Sequence, residues 1–299
     1  MGLICTVSRT HHLPLPTRCL VGRTSSCTLQ IPDRLVSSEH ARIAWDGERW
    51  TVRDLGSTNG TWVADRQLRP GETVPLHVGG RLAFGDLSLA YILEDASPPA
   101  PIARCPADGR LLPARDGVLA LPDEDAPRVL VFEDAAGSWV LEQEGISRPV
   151  ADGHSLTLDD ETWVLHLPGA TEPTIQASRA GLELSDIALH FQVSSDEERV
   201  LLTLRHREGA EEVPARAHLY TLLTLARLRI NEPDRDGWIY ADALQRMLGI
   251  DEMRLNVDVY RCRRALGRLG IRGAAGIIER HRGTRQLRCG VTDIAVGEL

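Results

Sequence analysis

The residues best placed to do chemistry lie in three short stretches near the N-terminus. They are Gly22-Arg23, then Ser37-Ser38-Glu39-His40, then Asp54-Leu55-Gly56-Ser57-Thr58-Asn59-Gly60-Thr61-Trp62-Val63. The last reads as strand, hairpin turn and strand, because Asn59-Gly60 supplies two residues that tolerate positive φ between β-rich runs. Alone, it is an ordinary polar turn. Together, the stretches offer a planar guanidinium (Arg23), which can take two phosphate oxygens at fixed geometry, and neutral donors in Ser37 and Ser38. Asn59 both gives and accepts, which suits the main chain of an extended peptide. This is binding chemistry. No Gly-rich phosphate loop, nucleophile elbow or metal-ligand cluster stands in the sequence, and His11-His12 beside prolines reads as a solvated pair. Neither enzyme activity nor a cofactor or metal is expected.

The elements that must position these residues are short strands. Turn signals recur every eight to twelve residues at Gly22, Pro32-Asp33, Asp46-Gly47, Asn59-Gly60, Pro70-Gly71, Gly79-Gly80 and Gly85-Asp86. That rhythm predicts an all-β sandwich.

The order Gly-Arg, Ser-x-x-His, Thr-Asn-Gly resembles the forkhead-associated (FHA) domain, a phosphothreonine-binding sandwich, over roughly residues 1–94. The resemblance implies that Arg23 and Ser37, with Ser38, face the phosphate, while Thr58 and Asn59 hold the turn and the peptide backbone. Gly22, His40 and Gly60 become structural supports. The implied partner is a protein carrying phosphothreonine, a Ser/Thr kinase or its substrate; the ligand brings about −1.5 to −2 charge and three acceptor oxygens.

The chain has 299 residues, 42% of them hydrophobic, and a net charge of −8. This is the profile of two or three folded domains. No apolar run is long enough for a membrane span. The six cysteines form no C-x-x-C pair, so metal ligation and disulfides are not expected and a cytoplasmic setting is. All 34 basic residues are arginines. Residues 101–170 carry 5 of them against 13 acids, and residues 250–299 carry 10 against 6. A basic end on an acidic chain points to nucleic acid.

Ser97-Pro98-Pro99-Ala100-Pro101 is a stiff linker. Residues 102–170 are again β-like and predict a small β domain, either a degenerate relative of the first or an unrelated β-meander. It lacks the three signature stretches. A second linker covers Leu167 to Thr174. The pattern then becomes helical: Leu219, Leu222, Leu223, Ala226 and Ile230 share one face, Leu244, Met247 and Leu248 a second, and Leu255, Val259, Cys262, Leu266 and Leu269 a third. In the third helix Arg254, Arg261, Arg264 and Arg268 lie opposite the apolar stripe, with Arg263 and Tyr260 on its flank. Asp258 is the one acid between Met253 and Gly270.

Residues 256–266 and the arginine-rich segment 282–288 resemble the recognition helix and wing of OmpR/PhoB-type winged-helix regulators, over about 182–291. The expected architecture is therefore multidomain: an FHA sandwich (1–96), a small β domain (102–170) and an α+β winged helix-turn-helix domain (180–295). The resemblance implies binding of double-stranded DNA through Arg254, Tyr260, Arg261, Arg263, Arg264, Arg268, Arg282 and Arg285, and hence transcriptional regulation. It departs at Arg285-Gln286, where that family's wing carries Gly-Tyr. The alternative is a phospho-dependent scaffold whose winged helix contacts protein.

Overall fold

Trp50–Asp54 shows how the N-terminal strands form: Trp50, Val52 and Asp54 are buried while Arg53 is exposed, the two-residue period of a strand with one face on a core. The computed structural model describes residues 1–169 and 182–299, which are mostly β with three α-helices. The chain divides into two compact units, Met1–Pro113 with Ala151–Thr171 and Ala114–Val150 with Glu172–Leu299.

The first unit opens with β1 (Leu3–Thr6), β2 (His12–Pro14), β3 (Arg18–Gly22), β4 (Leu29–Gln30), β5 (Ala41–Trp45) and β6 (Trp50–Asp54). It continues through β7 (Thr61–Val63), β8 (Arg66–Gln67), β9 (Thr73–Pro75), β10 (Arg81–Phe84) and β11 (Asp86–Asp95). One sheet runs β2-β1-β11-β10-β7-β8 and the other β4-β3-β5-β6-β9. Ile4, Leu82, Phe84 and Leu93 of the first meet Val21, Ile43, Trp50 and Val52 of the second in one core. Each such side chain contributes roughly 1.5–3 kcal/mol.

The sheet order corrects the hairpin expected at Asn59-Gly60. Strand β6 pairs with β5 and β9, whereas β7 pairs with β10 and β8. The turn therefore carries the chain from one sheet to the other. Only Gly60 takes a positive φ, +89°; Asn59 does not. A type I′ turn would need both, and a type II′ turn would need it at Asn59.

Residues 102–168 form β12 (Ile102–Arg104), β13 (Leu111–Pro113), β14 (Val118–Leu121), β15 (Val129–Glu133), β16 (Trp139–Gln143), β17 (Ile146–Pro149), β18 (Ser155–Leu158) and β19 (Glu161–His166). They do not gather into one small domain. The sheet β13-β12-β19-β18 belongs to the first unit and β14-β15-β16-β17 to the second. The division has a packing cause: Val118, Ala120, Leu130, Phe132 and Val140 of the latter sheet enter the apolar core of the helices.

The predicted linker beyond residue 169 and the first residues of the predicted 180–295 domain lie outside the described residues. Then follow β20 (Ala188–Val193), β21 (Val200–His206), β22 (Gly209–Val213), α1 (His218–Asn231), β23 (Ile239–Tyr240), α2 (Ala241–Leu248), α3 (Glu252–Gly267), β24 (Ile278–Arg280), β25 (Gln286–Cys289) and β26 (Ile294–Glu298). Asp251 caps α3 by accepting the Arg254 N–H at 2.7 Å. The apolar stripe of α3 is buried through Leu266; the helix stops at Gly267, so Leu269 lies past its end. Ile230 and Met247, expected in the core, are exposed. A C-terminal strand, β26, runs parallel to β20; no sequence pattern announced it.

Candidate functional site

Three loops of the first unit, β3–β4, β4–β5 and β6–β7, converge on the signature residues. At Gly22 a Cβ would stand 2.3 Å from the Ser38 carbonyl oxygen, so glycine alone allows the first two loops to touch. The Arg23 N–H then donates to the Ser37 carbonyl at 2.9 Å. The Arg23 side chain is exposed; its Nε donates to the Val36 carbonyl at 3.2 Å and its Nη2 to Ser38 Oγ at 3.4 Å. Both acceptors are neutral. No carboxylate among the described residues pairs with this guanidinium.

The third loop is tied to the second. Ser37 Oγ accepts the Thr58 N–H at 3.1 Å, and Asn59 Nδ2 donates to the Leu35 carbonyl at 2.9 Å. The amide nitrogen of Asn59 therefore serves the loop itself. Behind them His40 is fully buried, edge-on to Phe84 with ring centroids 5.8 Å apart. Its Nδ1 accepts the Ser37 N–H at 3.1 Å while Nε2 lies 3.1 Å from the Gly60 carbonyl, an acceptor, so the ring is the neutral Nε2–H tautomer. Burial lowers its pKa, against the opposing pull of the Gly60 carbonyl and Asp54. His40, expected as a structural support, thus lies behind the loops and not at their mouth.

Sequence reasoning assigned no role to Asp54. It is buried at the end of β6 and accepts from Gly56 N (2.8 Å), Ser57 N (3.1 Å), Ser57 Oγ (2.6 Å) and Thr61 Oγ1 (2.6 Å). Burial pushes its carboxyl up, but the Ser57 and Thr61 hydroxyls and two backbone N–H groups outweigh that and hold it below the ordinary range. Ser57 Oγ in turn accepts the Gly60 N–H at 3.1 Å. An Asp two residues before Gly and three before Ser, closing a strand, was the available signal.

The residues expected to meet DNA are placed differently. Arg263 is 1% exposed, its Nη1 and Nη2 each 2.8 Å from the Glu142 carboxylate. Its Nε and Nη2 also donate to the Ala275 and Ile278 carbonyls, and its guanidinium lies 4.2 Å above the Phe132 ring. Arg280 Nε stands 3.2 Å from the same carboxylate. Arg264 is held by Asp116 (2.9 Å) and Glu124 (2.7 Å), and Arg268 shares Asp116 at 3.0 Å. Tyr260 is buried. Arg263, Arg264 and Tyr260 are thus corrected from groove-facing residues to packed ones, because the sheet of residues 114–150 covers that part of α3 with carboxylates. Arg254, Arg261, Arg282 and Arg285 remain partly exposed, beside Asp258 (3.1 Å), Asp125 (3.9 Å), Asp134 (3.6 Å) and Glu252 (2.5 Å) respectively. A signal for Arg263 did exist: it follows Val259 by four and precedes Leu266 by three, on the buried stripe.

One grouping of metal-ligand types escaped the sequence. Cys5 Sγ, His12 and Glu94 lie within 4.8 Å of one another, His12 Nδ1 being 2.8 Å from Glu94 Oε2. Three adjacent strands, β2, β1 and β11, carry them.

A β-sandwich end with an uncompensated guanidinium on interlocked loops defines a class of anion-binding module. The family model of the FHA domain matches residues 19–85, and that part of the chain is an FHA domain. FHA domain-containing protein FhaB of Mycobacterium tuberculosis is 40% identical over 57 residues, 19% of this chain and 37% of that protein. FhaB of Mycolicibacterium smegmatis shows the same identity and coverage. The chain thus spans 37% of the length of these relatives. A solved FhaA FHA domain, complexed with the intracellular domain of Rv3910, is 26% identical, with a TM-score of 0.28 over 31% of this chain and 98% of that one. Among the described residues no helix is long and apolar enough to cross a membrane.

Proposed function

We propose that this chain is a phosphothreonine-dependent adaptor: its FHA domain docks a protein carrying phosphothreonine, and its C-terminal helical unit contacts protein. The observation that carries the first half is the Arg23 guanidinium, aimed by neutral acceptors and left with its full charge beside the Ser37 and Ser38 hydroxyls. A phosphate brought there gains charge-assisted, bidentate bonds. The relatives' names support the reading, FhaA having been solved with a partner's intracellular domain. The proposal assigns no catalytic step and places the protein in the cytoplasm. The test is fluorescence anisotropy with a phosphothreonine peptide library and its unphosphorylated copy: phosphate-dependent binding that Arg23→Ala removes is the expected result. Equal binding of both copies refutes it.

The second half rests on the acids of the 114–150 sheet, which answer Arg263, Arg264 and Arg268. A second reading is DNA binding by a winged helix. It is supported by the order of sheet, three helices and hairpin and by the exposed Arg254, Arg261, Arg282 and Arg285. It ranks second because groove entry by α3 requires removing that sheet. A salt-titrated duplex-binding assay separates the two: each neutralised phosphate contributes about −0.9 to the slope of log K against log salt. The adaptor reading expects a slope shallower than about −2 for the full chain.

A further inference from the structure

The C-terminal unit contains a cavity of about 680 Å³ between the segment leading into α1 and the exposed flank of α3. Arg216, His218, Arg261, Arg264 and Arg268 line it, with Glu212 as its one acid. Arg264 and Arg268 are answered by carboxylates. The other two guanidiniums are not comparably matched. Arg216 has no carboxylate partner among the described residues, and Arg261 reaches only Asp125, which is 96% exposed and 3.9 Å away.

His218 adds an independent observation. It is 8% exposed, and its buried Nε2 has no hydrogen-bond partner among the described residues. An orphaned buried polar atom on a residue that lines a polar cavity calls for an explanation. Burial, then Arg261 and Arg216, push its pKa down to about 4, so the ring is neutral and costs nothing in like-charge repulsion. His218 also opens α1, whose N-terminus has no side-chain cap and whose helix dipole favours negative charge. Val213, Pro214 and Leu269 supply an apolar wall.

We propose that this cavity binds a small phosphorylated ligand of nucleotide size, its phosphates held by Arg216 and Arg261, one oxygen accepting from His218 Nε2, and its organic part lying on the apolar wall. The volume is that of a small-molecule site, and the planar fork of a guanidinium matches two phosphate oxygens at once. Duplex DNA fits poorly, since the charges lie in a concavity rather than on a protruding helix.

The test uses the full chain carrying Arg23→Ala, which removes the FHA guanidinium, in a buffer free of phosphate and sulfate. ADP, inorganic pyrophosphate and a short duplex are titrated calorimetrically, while the His218 imidazole resonance, assigned with His218→Gln, is followed by NMR. Saturable ADP binding is expected, with movement of that resonance and a loss of about tenfold or more when Arg216→Ala and Arg261→Ala are added. Pyrophosphate binding as tight as ADP assigns the site to a free inorganic anion and overturns the role of the apolar wall. No saturable binding of either small probe overturns the proposal, as does affinity indifferent to the two substitutions, or saturation by duplex alone. Should the double variant melt early, Arg216→Gln alone, on an exposed position, must still weaken ADP by about threefold.

Discussion

Replacing Glu142 by glutamine should loosen the C-terminal unit more than any other single isosteric change. The carboxylate is buried and receives Arg263 through two nitrogens at 2.8 Å, Arg280 at 3.2 Å and Ser147 Oγ at 3.2 Å. Burial pushes its carboxyl up, but Arg263 and Arg280 outweigh that and hold it below the ordinary range. Glutamine keeps the shape and one acceptor oxygen but leaves two buried cations without a counter-charge. Breaking a buried pair in this way costs about 3–5 kcal/mol. Arg263 retains the Ala275 and Ile278 carbonyls, which argues for the lower half, about 3–4 kcal/mol, a large share of the roughly 5–15 kcal/mol that stabilises a domain. Urea unfolding of the full chain, followed by circular dichroism, reads the loss as a lower midpoint at unchanged slope. Arg263→Met should cost less, since Arg280 still answers Glu142, and the double variant should fall short of additivity by about 0.5–3 kcal/mol. The sign with pH follows: a depressed carboxyl stabilises fully above its unfolded value near 4.5 and loses that contribution as pH falls through its folded pKa. Glu142→Gln should therefore flatten the acid limb. A loss under about 1 kcal/mol, or strict additivity, would show that this ion cluster does not hold α3 against its sheet.

Other outcomes follow from the first unit. Arg23→Ala should weaken phosphothreonine-peptide binding by about 2–5 kcal/mol, and Arg23→Lys should recover only part, because an ammonium lacks the planar fork; equal affinity for Lys and Arg in anisotropy would rule out bidentate capture. Because His40 is depressed when folded, the unfolded chain binds its proton more readily. Stability is thus complete above the unfolded value of 6.5 and falls as pH drops below it; thermal melts of His40→Asn should lack that slope. Asp54→Ala strands two hydroxyls and two N–H groups, so a loss of about 2–4 kcal/mol is expected, together with weaker peptide binding, by urea titration and anisotropy. Full-chain binding to duplex with a slope steeper than about −4 would contradict the adaptor reading.

The site was legible where the chemistry is local. Gly22, Arg23, Ser37, His40 and Gly60 stand out because each belongs to a short stretch whose residue types and spacing are visible along the chain, although the close approach at Gly22 and the His40–Gly60 contact join different loops. The turn at Asn59-Gly60 was misread because periodicity reports that a strand follows, not which sheet it joins. Asp54 was overlooked for a related reason: its partners lie within seven residues, but the burial that makes them matter comes from the sandwich. The acid cover on α3 was not legible at all. Glu142 is 121 residues from Arg263 and Asp116 is 148 from Arg264, and no pattern in the helix names the surface its flank will meet. Likewise the division of residues 102–168 depends on which faces of two similar β segments find an apolar partner.

A single physical criterion separates the two arginine sets of this chain, and it is not exposure alone. Arg23 is oriented by a carbonyl and a hydroxyl alone, whereas Arg263 is held by two carbonyls and, in addition, by a carboxylate. Neutral acceptors fix the direction of a guanidinium without cancelling its charge, so an arriving phosphate finds the whole cation and displaces only water. A carboxylate fixes the direction and cancels the charge together; a phosphate would then have to displace a partner already paired at low dielectric, at a cost comparable to what it gains. Arg216 and Arg261 stand on the first side of this division, having no close carboxylate, while Arg264 and Arg263 stand on the second. The anion-binding capacity of the molecule is thus expected at the mouth of the FHA loops and in the cavity beside α1, and not along the covered length of the arginine-rich helix.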